Sequence, residues 1–239
     1  MNDDKIAALI ADLDHSDKPR IRAAVDALIP LAAAAPALAD ELNRLLNDSQ
    51  RKHQWPAAYI LAHLPDPSQR VFAVLLNALG HSDPDIRWAV MLLLVRLAKT
   101  DNGIVRLLLE LRETGTPTQR RMALYCIRDF NLTDAASLQA LLDSLRDDDP
   151  TVRVAAATSL KARTDIDSGA RRTLCDLFVN DPDSRVRNAA AVTLAQSGSP
   201  SEEFLAALKM AEASEHAQVT KAATAALAIL KKAGLKTLG

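Results

Sequence analysis

The chain has 239 residues, of which 49% are apolar and only 3% aromatic, and its 29 Lys and Arg stand against 30 Asp and Glu for a net charge of -1. A core so poor in aromatics must be filled by Ala, Leu, Val and Ile at close helix approach, and the charge balance excludes a global electrostatic footprint for nucleic acid or anionic lipid. The sequence contains no 18-residue apolar stretch and no basic-then-apolar leader, and Cys126 and Cys175 fall at unrelated points of the pattern described below, so a soluble, reduced, cytoplasmic protein is expected.

From the N-terminus onward, apolar periodicity predicts helices in pairs. Residues 1-35 hold helices over 3-14 and 19-34, and residues 36-65 hold 37-47 and 55-64. Residues 66-99 hold 68-79 and 84-98, and residues 100-131 hold 102-113 and 117-130. Three more pairs follow: 134-146 with 150-162 in 132-164, 167-179 with 184-196 in 165-197, and 201-213 with 217-232 in 198-239. Pro84, Pro117, Pro150 and Pro182 sit at or just before second-helix starts, where a missing N–H costs nothing.

The second helices carry a marker column. Arg87, Arg120, Arg153 and Arg187 recur at separations of 33, 33 and 34 residues, and the period extends to Arg22, Gln54 and Thr220. Three copies read DPDIRWAV, DPTVRVAA and DPDSRVRNAA. Asp83, Asp149 and Asp183 each precede a marker arginine by four residues. Such an aspartate can cap its helix and face the arginine one turn later, or pair with a neighbouring unit, so Asp83, Arg87, Arg120, Asp149, Arg153, Asp183 and Arg187 are expected to form a structural ladder.

The Asp-Pro turn, the Val or Ile, the Arg and the small-residue run resemble the HEAT repeat, in particular the short bacterial HEAT-like type also found in phycobilin lyases. The resemblance covers nearly the whole chain. It implies a single domain over 1-239: an all-α, right-handed α-solenoid of the armadillo type, with about seven helix-turn-helix repeats and the second helices lining the concave side.

At about 100° per residue from the marker arginine, positions -1, +3, +6 and +7 form the core face. Examples are Ile86, Val90, Leu93 and Leu94, or Val152, Ala156, Ser159 and Leu160. Positions +1, +5 and +8 face away. They read Trp55, Tyr59 and Ala62, then Trp88, Leu92 and Val95, then Arg121, Tyr125 and Arg128, so both tryptophans and both tyrosines fall in these columns. The same columns farther on, Val154, Thr158 and Lys161, then Asn188, Val192 and Ala195, are blander. Exposed Trp, Tyr and Arg typify interface hot spots, which makes Trp55, Tyr59, Trp88, Leu92, Arg121, Tyr125 and Arg128 the candidate partner-binding residues. Packing of these side chains between adjacent second helices is the competing explanation.

Catalytic chemistry has no visible constellation. His15, His53, His63, His81 and His216 form no HExxH, CxxC spacing is absent, and seven glycines make phosphate loops improbable, so no metal, cofactor or catalytic residue is expected. The clusters Arg51-Lys52-His53, Arg120-Arg121, Arg171-Arg172 and Lys231, Lys232 and Lys236 read as solvated faces. The expectation is a noncatalytic protein-interaction scaffold holding a protein or peptide, with no membrane contact. Two alternatives rest on the resemblance: a lyase or chaperone for a chromophore protein, and a DNA-binding solenoid of the alkylbase glycosylase type, against which the charge argues.

Overall fold

The computed structural model describes residues 3–48, 50–130, 134–161, 163, 166–197 and 200–234. Among them are fourteen α-helices, one 3-10 turn and no strand. In order these are α1 (Asp3–Asp12), α2 (Lys18–Ala34), α3 (Pro36–Leu45), α4 (Trp55–Leu61), α5 (Gln69–Ala78), α6 (Pro84–Leu97) and α7 (Gly103–Thr114). The second half comprises α8 (Pro117–Asp129), α9 (Ala135–Asp143) with its 3-10 continuation Ser144–Arg146, α10 (Pro150–Ser159), α11 (Ser168–Asn180), α12 (Ser184–Gln196), α13 (Glu202–Glu212) and α14 (Ala217–Lys232). The fold is all-α and of the α-solenoid class. Every expected helix is present, with α4 and α10 each ending three residues before their expected limits of 64 and 162. Lys236 of the C-terminal lysine cluster lies outside the described residues.

The helices form two compact units, residues 1–104 and 105–239. In the first, α2 packs on α1, α3 and α4, and α5 packs on α4 and α6. In the second, α8, α10, α12 and α14 contact one another in succession, with α9, α11 and α13 laid against that row. Close approach within the row follows from side-chain size: Ala155, Ala156 and Ala157 of α10 and Ala190 and Ala191 of α12 are each fully buried. The bulk that alanine cannot supply comes from Phe178 and Phe204, which meet edge-on at 6.1 Å and 77° between α11 and α13.

Turn chemistry sets the helix starts. Asp83 Oδ1 accepts the Asp85 N–H at 2.8 Å, Asp149 the Thr151 N–H at 2.8 Å and Asp183 the Arg185 N–H at 2.7 Å. Proline occupies the first turn of α2, α3, α4, α6, α8 and α10, where its ring matches the helical φ. Where the aspartate is missing, before α8, Thr116 and Gln119 form a reciprocal capping box. Pro30 lies inside α2, where it removes one backbone donor from the helical ladder.

The arginine ladder runs through different carboxylates from those expected. Arg120 grips Asp147 with Nε at 2.8 Å and Nη2 at 2.7 Å, and Arg153 grips Asp181 with Nε at 2.8 Å and Nη2 at 3.0 Å. Each acceptor lies six residues before the next marker arginine, two residues ahead of the capping Asp149 and Asp183. The cap is committed to backbone N–H groups at its own helix start, and the turn residue before it is the one that reaches the previous repeat. Each arginine also ties down its own turn, Arg153 Nη1 bonding the carbonyls of Asp147 and Asp148 at 2.7 and 3.0 Å. Arg87 and Arg187 keep this second role, on the carbonyls of His81 and Ser82 and of Asp181 and Pro182, but their Nε atoms are buried without a hydrogen-bond partner among the described residues.

Candidate functional site

Second helices α2, α4 and α6 of the first unit line an open groove of about 450 Å3. Its apolar floor combines Trp55 and Tyr59 from α4, Trp88, Ala89 and Leu92 from α6, and Val25 from α2. Trp88 is 41% and Leu92 61% exposed, whereas the groove's Trp55 and Tyr59 are half-buried. The structure thus brings four of the seven sequence candidates into one concavity. Ala62, read as outward-facing, is fully buried, and so is Ala195 at the same position of α12. Position +8 turns only about 80° from the arginine, close enough to the buried arc for a short side chain to be covered.

The aromatic side chains are held by specific neighbours. Trp55 meets the His81 ring edge-on at 6.5 Å and 72°, and its Nε1–H is buried without an acceptor among the described residues. Tyr59 lies 5.1 Å from the His63 ring, and His63 Nδ1 sits 2.8 Å from the Tyr59 carbonyl. Burial raises the Tyr59 phenol above its ordinary value and lowers His63 below its own, so both are neutral at pH 7.

Charge of both signs rims the groove. Lys18 of α2 bonds Asp83 at 2.8 Å and also Asp85 of α6, linking opposite walls. These hydrogen bonds raise the Lys18 ammonium above its usual value, and Lys18 in turn lowers Asp83. Arg22 and Asp26 stand one turn apart on α2, 4.0 Å from each other and largely exposed. Lys18, Arg22, Val25, Asp26 and Asp85 were absent from the sequence candidates. The marker register does not point to them: from Arg22 its outward columns on α2 are Ala23, Ala27 and Pro30, and Val25 falls in the core column at +3.

Arg121, Tyr125 and Arg128 belong to α8 in the second unit. Tyr125 is half-buried against the core of that unit, and the Arg128 guanidinium lies 5.0 Å from the centre of its ring while bonding Asp129 at 2.6 Å. Arg121 is half-buried. The blander columns also share a groove, lined by Val154, Thr158, Lys161, Asn188 and Val192 together with Gln218 and Lys221 of α14.

The HEAT repeats model matches residues 104–195 and 138–228, together more than half of the chain. The chain belongs to the HEAT-repeat family. No curated protein sequence matches this HEAT-repeat chain. Among solved structures, it is similar to Kap121p bound to Pho4p, with a TM-score of 0.61 and 16% identity over 95% of this chain and 29% of that one. The HEAT-repeat chain therefore spans under a third of that Kap121p. YibA of E. coli is similar at a TM-score of 0.55 and 16% identity, over 97% of this chain and 93% of that one. At such identities the likeness concerns the fold. No helix among the described residues of this HEAT-repeat protein is long and apolar enough to cross a membrane.

Proposed function

We propose that this HEAT-repeat protein is a noncatalytic interaction scaffold that holds a partner protein or peptide in the α2/α4/α6 groove, in the cytoplasm. The observation that carries the reading is the joint exposure of Trp88 and Leu92 in a concavity that also contains Trp55 and Tyr59. Large side chains left open to water on one surface are stabilised when a partner covers them, and tryptophan is the residue type most enriched among interface hot spots. A peptide laid across the groove meets apolar floor and then Lys18, Arg22, Asp26 and Asp85, which select partners by charge register. The similar fold of Kap121p holding Pho4p supports the reading by analogy. Arg121, Tyr125 and Arg128 enter the proposal as a second contact region, on the second unit.

The mixed rim weighs against a phosphate-tracking surface, which needs a run of uncompensated cations. The test is affinity capture from native lysate with Trp88→Ala, Leu92→Ala and Tyr125→Ala, each checked for retained helicity. Loss of the same captured protein in the α6 variants supports the reading, and unchanged recovery of every captured protein refutes it.

A further inference from the structure

Trp55 forms part of two concavities. Behind the groove, the turn before α4 and the end of α5 enclose an open basin of about 390 Å3, lined by Arg51, Lys52, His53, Trp55, Asn77 and His81 together with smaller and apolar neighbours. Every ionisable side chain in that lining is a base, and among the described residues no carboxylate lines it. This is a local excess on a chain whose net charge is -1. The basic run Arg51-Lys52-His53 therefore forms one wall of this open basin, with Lys52 exposed and Arg51 and His53 half-buried.

The surroundings hold these groups in place. Arg51 Nη2 reaches the Ile10 carbonyl at 3.4 Å, and the His53 N–H bonds Asp14 at 2.9 Å. His81 Nδ1 accepts the Asp83 N–H at 3.0 Å, which leaves Nε2 to carry the proton of the neutral ring as a donor. The His53 and His81 rings lie 6.5 Å apart. Burial, and then the neighbouring His53, lower His81 below the ordinary histidine value. The Trp55 indole N–H is a covered donor with no acceptor among the described residues.

We propose that this basin is an oxyanion site that receives the acidic group of a peptide whose apolar side chain occupies the adjoining groove. The proposal rests on the groove reading for the identity of its ligand, and on the basin alone for the anion. Arg51 and the exposed Lys52 supply attraction, the imidazole and side-chain amide groups supply donors, and Trp55, shared by both concavities, places the acidic group beside the apolar one. A carboxylate and a phosphoryl group share this chemistry.

The chain contains two tryptophans, so its two indole N–H resonances form an internal control. Sodium phosphate and sodium acetate are titrated separately into the 15N-labelled full chain at constant ionic strength. A saturable shift of the Trp55 resonance, with Trp88 unmoved, is expected from at least one anion, and the tighter anion identifies the preferred group. Lys52→Gln, at an exposed position, weakens binding several-fold, and Arg51→Gln with Lys52→Gln weakens it at least about tenfold. No Trp55 shift, equal non-saturating shifts at both tryptophans, or full binding by the double variant overturns the site. An array of capped decapeptides then tests the ligand. Peptides that bind the wild type lose affinity when Asp and Glu become Asn and Gln, and lose none in the double variant. Anion binding without any array binding contradicts the peptide assignment and the groove reading while sparing the basin; array binding indifferent to the amide change contradicts the basin's role and spares the groove.

Discussion

At the scale of single residues, the ladder assigns unequal consequences to two aspartates two positions apart. Asp181 is 3% exposed and faces an Arg153 side chain that is 12% exposed, so Asp181→Ala leaves a guanidinium buried without its charge partner and is expected to cost about 3 kcal/mol or more. Asp183→Ala removes a helix cap and a solvent-exposed ion pair with Arg185, and is expected to cost about 1 kcal/mol. Urea unfolding of the two variants measures the order, and a larger loss at Asp183 contradicts the assignment. Asp183 also predicts an acid limb. The Arg185 guanidinium, followed by its backbone hydrogen bonds, brings the Asp183 carboxyl down to about 2. A depressed folded-state value stabilises the fold above the unfolded carboxyl range near about 4, and this contribution is lost as pH falls from there toward about 2. Asp183→Asn removes that part of the stability profile, which acid titration followed by circular dichroism measures. The sequence showed the arginine column but not its partner, because Asp147, Asp148 and Asp149 stand side by side and only the path of the turn determines which of them reaches the preceding repeat.

At the scale of the elements, nearly everything was legible. Asp or Thr caps, prolines in the first turn and apolar periodicity act locally, so they fix helix starts before any tertiary contact forms. Side-chain exposure was legible only in part. The core columns at Ile86, Val90, Leu93 and Leu94 are buried, yet so are Met91 and Ala155, at positions +4 and +2 from their marker arginines, because each second helix meets neighbours on more than one side. That added burial narrows the free face to the columns of Trp88 and Leu92. The alanine-lined contacts of α10, α12 and α14 lead to an overpacking prediction: Ala190→Leu, at a fully buried position in α12, costs about 1–3 kcal/mol. Phe178→Ala empties the edge-on pair with Phe204 and costs about 3–5 kcal/mol. Thermal and urea denaturation measure both, and a stabilised Ala190→Leu variant would show that the helices have room to spare.

For the molecule as a whole, the balanced charge and the exposed aromatic groove point to the same class of partner. The sequence carried that inference only as far as columns on a helical wheel. Grouping Trp55, Tyr59, Trp88 and Leu92 in one groove, and adding Lys18, Arg22 and Asp85 to its rim, required the packing of α2 beside α4 and α6. Low-salt gel shift with mixed-sequence DNA is expected to show no complex, since the groove pairs its cations with carboxylates; a salt-sensitive complex would favour nucleic acid instead. The most direct measurement of partner binding in the groove is the affinity of a captured partner for the wild type and for Trp88→Ala, by calorimetry. A loss of at least about 2 kcal/mol, roughly thirtyfold, with unchanged thermal stability is expected. Equal affinities would contradict it.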